Sequence, residues 1–177
     1  TYLSKRFDRT NDQRRIHFAS AMTLLGLQDG ADHEDGVGYL DLVGFIMQNC
    51  PEAKEDLEQL WRRMVFNILV SNTDDHLRNH GFILTDKGWR LSPAYDMNPN
   101  EMGIGLTLNI SENSNDLDTS LALETAHLYQ LKSDRAESIL KEMQQEISHW
   151  RTVAKKLGIS HSEIEQTKRA FRLVNIR

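Results

Sequence analysis

The most regular pattern of hydrophobic positions lies in the middle of the 177-residue chain. Apolar residues recur there at intervals of three and four, which predicts one amphipathic helix from Pro51 to Val70. Pro51 suits the first turn of this helix, and the acidic residues that follow it in the sequence favour the positive end of the helix dipole. The apolar stripe comprises Leu57, Leu60, Trp61, Met64, Val65, Ile68 and Leu69. Because residues 66–70 are apolar nearly all round, we expect the helix to end in the core and to deliver the next loop to a central position.

Weaker patterns precede this helix. Alternating polar and apolar residues at the start of residues 1–9 predict a short strand. Apolar residues that lie four and three positions apart predict a helix over residues 14–25 that stops at Gly26. The acidic, glycine-rich run 28–38 is typical of a loop. A short helix is predicted around residues 40–48.

The C-terminal third is predicted to be helical. Its apolar positions recur at spacings of four and three: Ala136, Leu140, Met143, Ile147, Trp150, Ala154 and Leu157. Asp134 with Glu137 fits a capping box, and Gly158 suits the position after the last helical residue. Ser160 and Glu163 fit the start of a last helix that carries Ile164, Phe171 and Val174. Packing within a helical bundle is favoured over a coiled coil, because about three heptads are marginal.

The polar region after the central helix has no helical period. Residues 71–81 read as a loop, residues 82–91 as a small hairpin, and residues 93–99 as a second loop. Residues 97–118 stay irregular apart from a possible strand at 106–110. The pattern as a whole predicts one α+β domain that is mainly α, with the hairpin set against a helical bundle.

Composition narrows the classes of function. The longest apolar runs are too short for a membrane span, and the start lacks a basic-then-apolar signal. The single cysteine, Cys50, excludes an intrachain disulfide and favours a cytoplasmic setting. The net charge of −5 argues against sequence-independent binding of nucleic acid. Residues 150–177 nevertheless carry seven Lys/Arg against two Glu, a pattern typical of a solvated face that could instead dock an acidic partner.

Three polar side chains stand out, namely Asp74, Asn79 and Asp96. The first two lie on the loop that follows the buried helix, and the third lies on the loop that follows the hairpin. A hairpin returns the chain close to its starting point, so we expect the two loops to lie side by side. Carboxylate and amide oxygens suit Mg²⁺, which usually also holds phosphate oxygens. The sequence therefore predicts that the three side chains converge on one cleft.

The order Asp-x4-Asn, hairpin, Asp is what phosphoryl transfer requires of a kinase. One Asp takes or orients the proton of the attacking hydroxyl, while the Asn and the second Asp hold magnesium against the phosphates. Asp-x4-Asn alone is a weak signal, because it arises by chance about once in a few hundred residues. Its place between a buried helix and a hairpin that leads to Asp96 makes it stronger.

Two neighbours of Asp74 allow several interpretations. His76 and His80 have the spacing of a helical zinc site, but this segment is not predicted to be helical and no third soft ligand is near. We favour a His76 that hydrogen-bonds the loop and helps to fix Asp74. Asp75 is interpreted as a residue that favours the turn.

The two loops also resemble a known family. SNTDDHLRNH at 71–80 and LSPAYD at 91–96 are similar to the catalytic core of HipA-family serine/threonine kinases, the toxins of bacterial type II toxin–antitoxin modules. The resemblance implies a protein-kinase-like C-terminal lobe over residues 1–177 that uses ATP and Mg²⁺. By position it makes Asp74 the catalytic Asp and makes Asn79 and Asp96 the magnesium ligands, while His76 is counted with the catalytic residues because it is expected to fix Asp74.

The first nine residues resemble the hinge segment of that family. The resemblance implies that Lys5 and Phe7 offer backbone contacts to adenine, and that Asp8 hydrogen-bonds the ribose. Thr73 replaces the Arg that precedes the catalytic Asp of ordinary protein kinases. The form Asp-x-His-x2-Asn is shared with lipid kinases, so the loop alone does not fix the substrate.

HipA-like kinases also carry an N-terminal lobe with a phosphate-covering loop and a lysine, and neither is found in these 177 residues. We therefore expect the chain to be one lobe of a bacterial, cytoplasmic kinase. Its expected partners are the missing lobe, a protein substrate and a HipB-like DNA-binding antitoxin, with nucleic acid reached only through the antitoxin and no membrane involved. The alternatives are a non-catalytic lobe that binds a partner, and a lobe of a lipid or small-molecule kinase.

Overall fold

The central amphipathic helix forms as predicted, and the other elements pack around it. The structure is a computed structural model that describes residues 3–174. In chain order this helix is α3 (Ala53–Leu69), and all seven residues of its predicted apolar stripe are fully buried. The indole of Trp61 donates a hydrogen bond to the carbonyl oxygen of Ala122 at 3.0 Å. Helix α3 is therefore the axis of the core.

Shorter helices surround α3 on both sides in sequence. Six more α-helices lie within residues 3–174: α1 (Ala21–Leu25), α2 (Tyr39–Asn49), α4 (Thr119–Thr125), α5 (Ser133–Ser148), α6 (Trp150–Lys156) and α7 (His161–Thr167). Single 3₁₀ turns occupy His33–Asp35, Leu77–Asn79, Ala126–Tyr129 and Lys168–Phe171. The short helix predicted around residues 40–48 is α2. The predicted fold class is confirmed, since the domain is mostly helical with one small antiparallel sheet.

The sheet has three strands in the order β1 (Phe18–Ser20), β2 (Gly81–Thr85) and β3 (Gly88–Leu91). Strands β2 and β3 form the predicted hairpin, with Phe82 opposite Leu91. The prediction of one helix over 14–25 is wrong, because residues 18–20 pair with residues 81–83 of β2. The helix begins only after Ser20, whose hydroxyl accepts the backbone N–H of Thr23, and it stops at the left-handed Gly26 as predicted.

A buried ion pair fastens the hairpin to α3. Asp56 is 2% exposed, and both of its carboxylate oxygens accept from the Nε of Arg90 on β3, at 3.1 and 3.0 Å. The backbone N–H of Leu91 also donates to Asp56. Burial raises the pKa of the Asp56 carboxyl, which the hydrogen bonds from Leu91 and Arg90 oppose. Because the hairpin cannot swing away from α3, the loops at its two ends stay on the same side of the core.

The C-terminal third differs from its prediction in two places. The expected single helix is divided into α5 and α6 by His149, and Leu157 at its end is 74% exposed. The capping box at Asp134 is wrong, since Lys132 is the N-cap and Asp134 lies in the first turn of α5. The capping box of Ser160 with Glu163 is confirmed at the start of α7.

Two predicted strands do not form as regular strands. Within residues 3–9 only Arg9 makes an isolated bridge, to Arg15, while Thr1 and Tyr2 lie outside the described residues. Residues 106–110 hold their apolar side chains in the core but pair through the isolated bridge from Asn109 to Gly38. Both segments are fixed by tertiary contacts rather than by a continuous ladder.

Over residues 3–174, the helices are too short or too polar to cross a membrane.

Candidate active site

The loop at 71–80 turns sharply as it leaves the buried end of α3. Ser71 adopts a left-handed conformation with φ of 52° and is fully buried, and its hydroxyl donates to the carbonyl oxygen of Ala170 at 2.9 Å. The backbone N–H of Asn72 donates to the carbonyl oxygen of Asn67 at 2.8 Å. The loop therefore starts from a fixed point inside the core, as the all-round apolar end of α3 predicts.

Adjacent carboxylates in this loop have opposite environments. The side chain of Asp74 is 77% exposed, whereas Asp75 is 1% exposed. The Asp75 carboxylate accepts from the hydroxyl of Tyr39 at 2.8 Å and from the backbone N–H of Thr107 at 2.7 Å. Burial raises the pKa of Asp75 to about 6, although these hydrogen bonds favour the ionised form. Asp75 is thus a buried anchor, and its interpretation as a turn-favouring residue misses this role.

Asn79 closes the loop back onto Asp74. It ends the 3₁₀ turn Leu77–Asn79, and its side-chain N–H donates to the carbonyl oxygen of Asp74 at 2.7 Å. The Nε2 of His76 lies 3.6 Å from a carboxylate oxygen of Asp74, which is an ion-pair distance rather than a hydrogen bond. Asn79 therefore makes the hydrogen bond across the loop that the sequence analysis assigned to His76.

His80 lies in the interior rather than at the site surface. It is 3% exposed and presents an edge-to-face contact to Tyr39, with ring centroids 5.3 Å apart. Burial lowers the pKa of His80 to about 3, so the ring is neutral at physiological pH. His80 is buried behind the loop, and residues 3–174 hold no third His, Cys, Asp or Glu side chain that would complete a metal site with it and His76, so the structure does not support a zinc site here.

The second loop follows β3 and carries Asp96. Asp96 is exposed and adopts a left-handed conformation with φ of 55°, which is uncommon outside glycine and recurs at functional sites. The side-chain N–H of Asn98 donates to its carboxylate at 2.7 Å. The hydroxyl of Tyr95 donates to the carbonyl oxygen of Arg78 at 2.7 Å, so the two loops are in direct contact as the hairpin predicts.

Asn79 and Asp96 line one small cavity between the loops, together with Arg63 of α3. Arg63 donates through one Nη to the carbonyl oxygen of Ser92, while its buried Nη1 has no hydrogen-bond partner among residues 3–174. Burial lowers the pKa of Arg63 to about 10, so it stays cationic at neutral pH. Arg63 has no local signal in the sequence, because it occupies an ordinary polar position next to the apolar stripe.

The predicted convergence of the three side chains on one cleft is seen for Asn79 and Asp96 but not for Asp74. Asp74 lines a separate cavity of about 200 Å³. His76, Arg78 and the acidic residues Asp29 and Asp32 line the same cavity. Asn79 links the two cavities, since it lines the first and hydrogen-bonds the backbone of Asp74. The exposed carboxylate of Asp74 is therefore accessible to a second reactant.

The three residues predicted to form a hinge have different surroundings. Phe7 lines a cavity of about 520 Å³ together with Asp96 and packs against Tyr95, with ring centroids 5.8 Å apart. Asp8 accepts from Arg6 and Arg9, and the hydrogen bond from Arg6 is the largest influence that lowers the pKa of Asp8 to about 2. Lys5 is exposed. Phe7 is therefore next to the second loop, while the carboxylate of Asp8 is already held by arginines.

The donor set fits magnesium that is bound together with a nucleotide. Within residues 3–174 there is no group of three His, Cys, Asp or Glu side chains that could hold a metal ion. Asn79 and Asp96 offer one amide and one carboxylate at a shared cavity, and Mg²⁺ completes such a set with water and phosphate oxygens. The unpartnered Nη1 of Arg63 adds positive charge where phosphate would lie.

Comparison with known proteins relates the chain to a family of kinase-like domains. Residues 1–168 match the profile of the HipA-like C-terminal domain family. The chain is 31% identical over 113 residues to the serine/threonine-protein kinase toxin HipA of Shewanella oneidensis, a match that covers 52% of this chain and 25% of the relative. It is also 31% identical over 101 residues to a protein of Haemophilus influenzae named as a candidate kinase, over 54% of this chain and 29% of that protein.

A solved structure extends the comparison to the fold. A chain of the Shewanella oneidensis complex of toxin–antitoxin proteins HipA and HipB with operator DNA aligns with a TM-score of 0.73 and 19% identity. The alignment covers 96% of this chain and 46% of that chain. The protein thus shares its fold with less than half of a longer chain, and the matched regions span about a quarter of the curated relatives.

Proposed function

We propose that this chain, which belongs to the family of HipA-like C-terminal domains, is the catalytic lobe of a kinase that transfers phosphate from ATP to a protein serine or threonine. The family resemblance inferred from the two loops is confirmed by that membership. The observation that carries the proposal is the meeting of the loops. Asn79 and Asp96 share a cavity, and Asn79 hydrogen-bonds the backbone of Asp74.

The residues of the chain have separable roles in this reaction. The exposed Asp74 carboxylate accepts the proton of the acceptor hydroxyl as that oxygen bonds to the transferred phosphorus and ADP leaves. Asn79 and Asp96 would hold magnesium, which neutralises phosphate charge when it is bound. His76, at 3.6 Å, supports the position of the Asp74 side chain. Arg63 adds a fixed positive charge beside the phosphates.

The cavity of about 520 Å³ is the proposed nucleotide cleft. Phe7 and Asp96 lie along it, so a nucleotide placed there has its base near the hinge and its phosphates near the second loop. Lys5 and Phe7 would offer backbone groups to adenine. Contact between Asp8 and the ribose requires that the carboxylate exchange one of its arginine partners for a hydroxyl group.

The wider assembly is part of the same proposal. We expect an N-terminal lobe to cover the phosphates, because the structural relative is a longer chain of which this domain covers 46%. The HipB-like antitoxin is proposed as a partner by analogy with the structural relative, which is a complex of HipA, HipB and operator DNA. We propose a bacterial cytoplasmic location for such a complex.

The experiment that tests the function compares two substitutions in the full-length protein. Asp74→Asn should abolish transfer of labelled phosphate from ATP to protein while nucleotide binding stays largely intact. Asp96→Asn should instead weaken magnesium-dependent nucleotide binding, because a charged metal ligand is lost. Asp86→Asn, in the hairpin turn away from both loops, is the matched control and should change neither. Unchanged phosphorylation in both site variants would refute the assignment, and nucleotide binding without any transfer by the wild-type protein would favour the partner-binding alternative.

A second experiment uses the 177-residue chain alone. We expect it to fold, because α3 and its neighbours bury a continuous core, and to bind ATP with magnesium weakly and without transfer. Each charged hydrogen bond that the chain alone cannot make to the phosphates removes roughly 1.5–3 kcal/mol of binding free energy. Its affinity for ATP should therefore be orders of magnitude below that of the full-length protein. Calorimetry with ATP and Mg²⁺ measures this, and tight binding or transfer by the chain alone would show that no further lobe is needed.

A further inference from the structure

A chain of buried polar side chains runs beneath the loop that carries Asp74. The hydroxyl of Tyr39 donates to Asp75 at 2.8 Å, and the side-chain N–H of Asn67 donates to that hydroxyl at 2.9 Å. The side-chain N–H of Asn72 in turn donates to Asn67 at 3.0 Å. All four residues are no more than 2% exposed. The loop is thus connected to α2 and α3 through hydrogen bonds that water does not reach.

Thr107 holds the same loop from the opposite side. Its backbone N–H donates to Asp75 at 2.7 Å, and its hydroxyl donates to the carbonyl oxygen of Thr73 at 2.8 Å. The residues on both sides of Asp74 are therefore fixed. Since Asn79 also holds the carbonyl oxygen of Asp74 itself, the backbone at this position has little freedom while the carboxylate above it stays exposed.

The acidic segment 28–38 supports Thr107. The backbone N–H of His33 donates to the carbonyl oxygen of Thr107 at 2.9 Å, and the side chain of Asn109 donates to the carbonyl oxygen of His33 at 3.0 Å. The segment then continues into α2, which supplies Tyr39. The acidic pattern of residues 28–38 predicts only a loop, whereas His33 in this loop holds Thr107 and Asn109 next to the network.

We propose that Asp75 is the positioning residue of this site, and that the Tyr39 hydroxyl and Thr107 fix it so that the neighbouring Asp74 faces the acceptor. The inference rests on the proposed kinase function. A buried carboxylate is unfavourable for folding unless it is fully hydrogen-bonded, and an apolar residue would fill the same space without that penalty. The hydrogen bonds of the network lead to the backbone around Asp74. The buried Asp75 carboxylate therefore has a positioning role, which packing alone would not require.

The test uses two tyrosine variants that are matched in chemistry and burial. Tyr39→Phe removes the hydroxyl that donates to Asp75. Tyr129→Phe removes an equally buried hydroxyl, which donates to the sulfur of Met64 at 3.2 Å and lies outside the network. Hydrogen exchange of the 177-residue chain should show faster exchange over residues 73–79 in Tyr39→Phe and unchanged exchange there in Tyr129→Phe. Equal protection of residues 73–79 in both variants would overturn the proposal.

Kinetics in the full-length protein give a second readout. Tyr39→Phe should lower kcat at least about tenfold with the KM for ATP nearly unchanged, since a small displacement of a catalytic group costs rate more than binding. Tyr129→Phe should alter neither, and an equal loss of kcat in both variants would contradict a positioning role. If Tyr39→Phe does not fold, Thr107→Val removes only the bond to Thr73 and should give the same pattern more weakly. A wild-type protein without transfer would refute the kinase function, whereas the exchange result would still decide the role of Asp75.

Discussion

The two loops that meet at the candidate site are built in opposite ways. The loop at 71–80 is held by the protein interior, because four of its side chains are buried, namely those of Ser71, Asn72, Asp75 and His80. The loop at 93–102 is exposed or half-buried throughout. Its approach to the core is fixed at Ser92, whose carbonyl oxygen accepts from Arg63, and at Tyr95, which bonds to Arg78. The proposed base is therefore preorganised, whereas the proposed metal ligand Asp96 depends more on its bound partner.

This contrast matches the different tasks that we propose for Asp74 and Asp96. A proton acceptor must stand at a fixed distance from the attacking hydroxyl, and preorganisation of that distance lowers the barrier. A magnesium ligand can adjust as nucleotide and water complete the coordination of the ion. We therefore expect substitutions under the first loop to affect rate, and substitutions under the second to affect nucleotide affinity.

The largest expected effect is the loss of stability when the ion pair that holds the hairpin to α3 is broken. Arg90→Met would leave the buried Asp56 carboxylate without its cation, and breaking a buried pair in this way costs roughly 3–5 kcal/mol. Chemical denaturation should show that loss. Arg14→Met, which removes an exposed pair with Asp12, is the control and should change the free energy of unfolding by less than about 1 kcal/mol. Equal effects of the two variants would mean that the hairpin is not held by Asp56.

The next effect is a pH dependence that, of the two loops, belongs to the first. The folded-state pKa of Asp75, about 6, lies above its ordinary value of 3.8, so the folded state binds this proton more tightly than the unfolded state. The stability that this group contributes is fully present below pH 3.8 and is lost as the pH rises through 6, by about 3 kcal/mol in all. Asp75→Asn should remove this part of the slope of stability against pH between 4 and 7. An unchanged slope would show that Asp75 is not buried as a carboxylate.

A substitution of Arg63 should affect the second loop and leave the first loop unchanged. Arg63→Met removes the donor to Ser92 and the positive charge at the cavity shared by Asn79 and Asp96. We expect the affinity of the full-length protein for ATP with Mg²⁺ to fall about tenfold, as for the loss of one charged hydrogen bond. Exchange should rise over residues 92–98 and stay unchanged over residues 73–79. Arg62→Met, at the neighbouring position that pairs with Glu58, is the control and should leave the affinity as it is.

Tyr95→Phe should give the smallest change. It removes only the hydrogen bond to the carbonyl oxygen of Arg78 and keeps the ring contacts with Phe7 and Phe18. A single neutral hydrogen bond contributes about 1 kcal/mol, so the KM for ATP should rise no more than about fivefold with kcat retained. A large loss of kcat would show that the second loop is as strictly preorganised as the first.

The contact between the two loops could be predicted from the sequence, because its signals are local. The period of α3 predicts where the first loop begins, and the hairpin pattern predicts that Asp96 returns to Asn79. The anchors could not be predicted in the same way. Asp75 binds Tyr39 and Thr107, which lie 36 and 32 residues away in the chain, so the hydrogen bonds that bury it have no local pattern.

The same limit explains the error at the N-terminus. Phe18, Met22 and Leu25 have helical spacing, yet residues 18–20 form a strand because the edge of β2 is available to pair with them. Tertiary pairing overrides local propensity in so short a segment. Ser20, which ends the strand and caps α1, was the local signal that could have shifted the predicted boundary.

The central claim is that both loops contribute to one site for a nucleotide-bound metal, and nuclear magnetic resonance of the 177-residue chain tests it directly. Mn²⁺ replaces Mg²⁺ in complexes with ATP and broadens the signals of nearby amides, even when binding is weak. The account predicts that Mn²⁺ with ATP broadens the amide signals of Asp74, Asn79 and Asp96 together, and that Asp96→Asn reduces this broadening. Broadening confined to one loop, or centred on the basic C-terminal helices, would contradict it.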